Sequence, residues 1–180
     1  MKNLAWILVV SGGLAIAALS GGAMAATECN GAMSGTIVGG IVVNAGAPCV
    51  LGGANVSGGV QVTNGGILIV CASVINGSVI ANGAAGILLG PEEIACPGNV
   101  INGGVEISNT GPGVFPPPAP SISIENSVIS GAVHLSGNKG SIVVASNTIA
   151  GGLFCKNNTS DLDDEGNPSV ITGRVTCQFE

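Results

Sequence analysis

Along residues 56 to 62, VSGGVQV, apolar side chains alternate with small or polar ones, and the same alternation returns at INGSVIA (75 to 81) and INGGVEI (101 to 107). With the first apolar residue as anchor, anchors fall at Ile37, Val56, Ile75, Ile101, Ile129, Ile149 and Ile171. Two residues on stand Gly39, Gly58, Gly77, Gly103, Gly131, Gly151 and Gly173; four residues on stand Ile41, Val60, Val79, Val105, Val133, Leu153 and Val175. Period-two alternation marks a strand with one buried side, which here takes the anchor, plus-four and plus-six positions. Most units carry a second apolar run, ILIV (67 to 70), ILL (87 to 89), SISI (121 to 124) or SIVV (141 to 144), so each unit predicts two or three short strands.

Anchors are separated by 19, 19, 26, 28, 20 and 22 residues. Units of about twenty residues return a chain to the same side one strand spacing, roughly 4.8 Å, higher. Asn-Gly pairs at 30, 64, 76, 82 and 102 would ordinarily mark antiparallel hairpins, which makes an antiparallel sandwich the alternative. Two of those pairs, however, lie inside the repeated phrase. The expected fold is therefore all-β: one right-handed parallel β-helix, or solenoid, of six to seven coils. The glycine column belongs at a corner, where either positive φ or lack of room excludes a Cβ.

The six cysteines fit an oxidising compartment and three disulfides, for which sequence alone permits fifteen pairings. The register narrows them. Cys155 and Cys177 are plus-six residues of successive coils, Cys71 and Cys96 precede their next anchors by four and five, and Cys29 and Cys49 remain for the first coil.

Residues 1 to 25 read as an export signal: Lys2, an apolar stretch from Leu4 to Leu19, then Ala23-Met24-Ala25 as a small-x-small cleavage site. Residues 26 to 180 then form one domain, with no membrane span after cleavage and a periplasmic, envelope or extracellular destination. Beyond the signal, three basic residues face ten acidic ones, a net charge of −7. Such a surface cannot neutralise phosphates, so nucleic acid is excluded as a partner.

Three inserts interrupt the spacing, at 90–99, 110–121 and 157–167, and function on a rigid scaffold concentrates in such loops. Pro116 to Pro118 predict an extended lip with Phe115 as an apolar anchor. Asp161, Asp163, Glu165 and Gly166 match the first half of a calcium loop, whose closing Glu is replaced by Thr172; calcium is the one cofactor considered. His134, the single histidine, and Glu106 are both plus-five residues of adjacent coils, an acid–base pair with no nucleophile or metal set beside it, so no catalytic residue is assigned. The plus-one column, including Ser57, Asn76, Asn102 and Ser130, and the plus-three column of Gly40, Gly59, Ser78, Gly104, Ala132, Gly152 and Arg174 should face outward as a flat, weakly charged surface.

The phrase INGSVIANGA and its relatives resemble bactofilins, polymer-forming bacterial proteins with a right-handed β-helix core. Together with TECNG, APCVLGG, GGLFCKN and RVTCQF, they also look like a group of exported bacterial proteins with a cysteine near the mature start and another near the end. The resemblance implies a solenoid able to self-associate; the export signal and cysteines are departures from the bactofilin pattern and point away from a cytoskeletal role. The expectation is a non-catalytic exported structural or interaction protein, self-associating or bound to an envelope or polysaccharide surface. The alternatives are a polysaccharide-active β-helix enzyme and an adhesin-like or ice-binding module.

Overall fold

The computed structural model describes residues 25–115 and 119–179. The export segment, but for Ala25, and Pro116 to Pro118 of the second insert lie outside the described residues. The first coil is β1 (Thr27–Glu28) and β2 (Ala32–Ile37), and the second is β3 (Ile41–Val43) and β4 (Cys49–Val56). Coils three to five follow as β5 (Val60–Val62), β6 (Ile67–Cys71) and β7 (Val74–Ile75), then β8 (Val79–Asn82), β9 (Gly86–Leu89) and β10 (Val100–Ile101), then β11 (Val105–Ser108), β12 (Ile122–Glu125) and β13 (Val128–Ile129). The last two are β14 (Val133–Ser136), β15 (Ile142–Ala145) and β16 (Thr148–Ile149), and β17 (Leu153–Lys156), β18 (Leu162–Asp163) and β19 (Val170–Ile171).

Each strand pairs in parallel with its counterpart one coil away, giving a parallel β-helix of seven coils and three sides. Side A stacks β1, β3, β5, β8, β11, β14 and β17. Sides B and C share the two long strands, β2 and β4, after which β6, β9, β12, β15 and β18 continue side B and β7, β10, β13, β16 and β19 continue side C. An eighth coil begins where Val175 pairs with Leu153 and Phe179 with Leu162. The only antiparallel pairings among the described residues are isolated bridges, so the sandwich is ruled out. Among the described residues no helix is long and apolar enough to cross a membrane.

The register follows the columns read from the sequence. Ile37, Val56, Ile75, Ile101, Ile129, Ile149 and Ile171 stand one above another on side C. Ile41, Val60, Val79, Val105, Val133 and Leu153 do the same on side A. From Ile41 to Ile149 these side chains are buried, and with Leu68, Ile87, Ile122 and Ile142 of side B they fill the interior. Each fully buried aliphatic contributes about 1.5–3 kcal/mol, and β-branched residues, already stiff at χ1, lose little rotamer freedom on stacking.

The glycines mark the corner between sides C and A. A Cβ on Gly103 would sit 2.6 Å from the Gly77 carbonyl carbon, and one on Gly151 2.6 Å from the Ala132 nitrogen. Lack of room excludes side chains there; apart from Gly39 the column does not use positive φ. Backbone hydrogen bonds run up the column, from Gly77 N–H to Gly58 O at 2.9 Å and from Gly131 N–H to Gly103 O at 3.0 Å.

The corner between sides B and C is built differently. Gly53, Ala72, Asn126 and Ser146 adopt left-handed φ of 49 to 61°, and after the last three the next residue turns a polar side chain inward. These residues, two before each anchor, read Ala54, Ser73, Asn99, Ser127, Asn147 and Ser169. Ser73 N–H donates to Asn99 Oδ1 at 3.1 Å, Ser127 N–H to Asn147 Oδ1 at 3.0 Å, and Asn147 N–H to Ser169 Oγ at 3.1 Å. The amides also donate downward, Asn99 Nδ2 to Val70 O at 3.0 Å and Asn147 Nδ2 to Ile124 O at 2.7 Å. Backbone groups that leave the strand ladder at the corner are thus satisfied by a buried Ser/Asn ladder, as burial requires. Asn138 and Asn158 repeat the device between sides A and B, accepting from Thr110 N–H and Asn138 N–H, each at 3.0 Å.

The disulfides are Cys29–Cys49, Cys71–Cys96 and Cys155–Cys177, with Cα separations of 5.4, 5.3 and 4.8 Å. Among the described residues no cysteine is free.

Candidate functional site

All three inserts flank side B. They enter at its corners, and the outward side chains of β9, β12 and β15, Leu88, Ser123, Glu125, Val143 and Ala145, are buried, which closes these three coils of side B to ligands, while Ile67 and Ile69 of β6 stay half-buried. Phe115 lies over Gly86, where a Cβ would collide with its ring, so Phe115 anchors the second insert to the solenoid. Cys71–Cys96 clips the first insert to the same side.

Glu125 is the buried acid under these inserts. It takes hydrogen bonds from the Ser123 hydroxyl and, at 3.0 Å, from Glu92 N–H. Carboxylate oxygens of Glu92, Glu125 and Glu165 lie within 4.8 Å of one another, the donor type that suits a hard cation. The acidic loop therefore does not assemble as the calcium-loop spacing suggested. Glu165 joins residues from other coils, while Asp163 Oδ1 accepts Glu165 N–H at 2.8 Å and Asp164 Oδ1 accepts Gly166 N–H at 3.0 Å. Asp161 and Asp163 stand outside the three-carboxylate group. The two short bonds hold the tight acidic turn that spacing alone presented as a ligand array.

Side C is open. Its plus-one column, Val38, Ser57, Asn76, Asn102, Ser130, Ala150 and Thr172, is exposed throughout, with Asn102 Nδ2 donating to Asn76 Oδ1 at 2.9 Å. Ser57 Oγ turns back to accept Gly39 N–H at 2.8 Å. On the same side lies the column before each anchor, Thr36, Asn55, Val74, Val100, Val128, Thr148 and Val170, which the sequence reading did not single out. Neither column holds a charge or a side chain longer than Asn. The plus-three column differs from expectation: Gly40, Gly59, Ser78, Gly104 and Ala132 are half-buried, because the tight corner brings successive coils over them, and Gly152 is buried with the Phe154 ring against it.

Side A carries most of the remaining chemistry. Its outward column reads Val42, Gln61, Ile80, Glu106, His134 and Phe154 in successive coils. Glu106 and His134 are register partners, as the plus-five positions predict, and both are exposed. The His134 imidazole stacks on the Phe154 ring, with centroids 4.7 Å apart and planes 15° from parallel. Phe154 was missed in the sequence although it holds the same plus-five position one coil on. Beside the stack, Glu106, His134, Ser136, Phe154 and Lys156 line a hollow of about 530 Å³, with Leu135 and Cys155 beneath it.

No protein-family model matches the chain, and neither a curated protein nor a solved structure matches it.

Proposed function

We propose that this is an exported, non-catalytic structural protein that associates end to end through the coil of Val175 and Phe179. One observation carries the reading: two core columns continue into exposed apolar side chains. Val175 continues the side A column above Leu153 and is 42% exposed, and Phe179 continues side B above Leu162 and is 36% exposed. Strand edges and apolar core residues left open at a solenoid end are the features that recruit another chain. Three disulfides support a destination outside the cytoplasm, and the resemblance to polymer-forming bactofilins supports assembly. Glu106 and His134 support the non-catalytic reading, since both are exposed and the cysteine that lines their shared hollow, Cys155, is tied up in the disulfide to Cys177.

Light scattering of the oxidised protein from micromolar to millimolar concentration tests this. Oligomers should grow with concentration, and Val175→Glu or Phe179→Glu should hold the protein monomeric without changing its secondary structure. A wild-type protein that stays monomeric throughout overturns the proposal.

A further inference from the structure

The hollow on side A is a different kind of surface from the rest of the molecule. Side C has no charged side chain and side B is covered over β9, β12 and β15, whereas here an aromatic platform, a carboxylate, an imidazole, a hydroxyl and an ammonium converge within three coils. Parallel stacking places them by register: Glu106 against His134, His134 against Phe154, and Ser136 against Lys156. The strands are rigid elements, and each of these side chains is held one coil, about 4.8 Å, from its register partner. A site on strands of a closed ladder is better preorganised than one on loops.

From this arrangement we infer that the hollow binds a uronate, a sugar ring bearing a carboxylate, as one residue of an acidic polysaccharide. The volume, about 530 Å³, lies within the range of small-molecule sites and exceeds one sugar ring. The half-buried Phe154 ring, backed by His134, gives an apolar edge against which the C–H face of a pyranose packs. Lys156 supplies the cation for the sugar carboxylate, while Glu106 accepts hydrogen bonds from hydroxyls and Ser136 both donates and accepts. A fatty acid would leave Glu106 without a donor. A polyphosphate would meet Glu106 and a net charge of −6 over the whole chain, with too few cations to neutralise it. A neutral sugar would leave Lys156 unused. The ligand that satisfies every group carries one carboxylate and several hydroxyls.

This inference is independent of the end-to-end assembly, because Val175 and Phe179 take no part in the hollow. The test is a titration of the oxidised protein, followed by amide NMR, with galacturonate and mannuronate oligomers in separate arms and maltotetraose as the neutral control. Saturable shifts confined to residues around Ser136, Phe154 and Lys156 are expected with at least one uronate, with a Kd of about 1 mM and at least tenfold weaker binding of maltotetraose. Lys156→Gln, a change at an exposed residue, should bring uronate affinity down to the neutral level, and Phe154→Ala should abolish binding of both. The inference is overturned if no saturable shift develops by about 20 mM uronate, or if Lys156→Gln leaves uronate affinity unchanged. The oligomeric state, read by light scattering on the same samples, reports separately on the assembly.

Discussion

Asn147 Oδ1 accepts the backbone N–H of Ser127, one coil below, at 3.0 Å, in a position only 2% exposed. The same amide donates from Nδ2 to Ile124 O at 2.7 Å, so one side chain ties a corner N–H to a strand carbonyl. Removing it leaves the Ser127 N–H without its acceptor in a buried corner. Asn147→Ala should cost about 1–3 kcal/mol for the group left without a partner, read as a fall in the urea midpoint. Asn102→Ala, which breaks only the exposed bond to Asn76, should stay within about 0.5 kcal/mol.

The glycine corner makes a sharper contrast. A Cβ at Gly103 meets backbone of the coil below at 2.6 Å, whereas Gly52 has nothing within 4 Å of that position. Backbone cannot rotate away as a side chain can, so Gly103→Ala should destabilise the solenoid by at least about 1–3 kcal/mol, as overpacking does. Gly52→Ala should be neutral or slightly stabilising, since it lowers the entropy of the unfolded chain at no steric cost. Parallel urea titrations of the two variants decide this.

Adjacent residues of one strand should respond very unequally to truncation. Ile101 is fully buried in the central column and Val100 beside it is 38% exposed on side C. Ile101→Ala should cost about 2–5 kcal/mol, the sum of lost transfer energy and a cavity between Ile75 and Ile129. Val100→Ala should cost well under about 1 kcal/mol. Equal effects would mean that side C is covered in solution.

Peptide mapping of the oxidised protein should recover Cys29–Cys49, Cys71–Cys96 and Cys155–Cys177. Replacing both Cys155 and Cys177 by Ser should lower stability by about 2–4 kcal/mol, because the link closes a loop of 22 residues and so restricts the unfolded chain. Thermal unfolding of the double variant measures the loss.

The repeat spoke plainly because a solenoid is nearly one-dimensional: each residue's neighbours lie one coil up and one coil down, and spacing along the chain fixes them. Ile75 under Ile101, Glu106 beside His134 and Cys155 beside Cys177 were all legible for that reason. Phe154 above His134 and the Ser/Asn column from Ser73 to Ser169 were equally present in the register, as the plus-five and minus-two positions, but lie outside the apolar and glycine columns that defined the repeat.

What the sequence alone determined, then, is the coil: the three buried columns, the glycine corner and the pairing of cysteines. Only the tertiary structure decided what the inserts do. Glu165 meets Glu92 and Glu125 instead of completing a loop with Asp161 and Asp163, and Phe115 closes over Gly86, because loops of unequal length leave the coil and land on side B where packing directs them. Periodicity places residues that obey the period, and these do not. Which sides stay open to bind something was therefore settled by the folded shape of the inserts and not by the repeat that carries them.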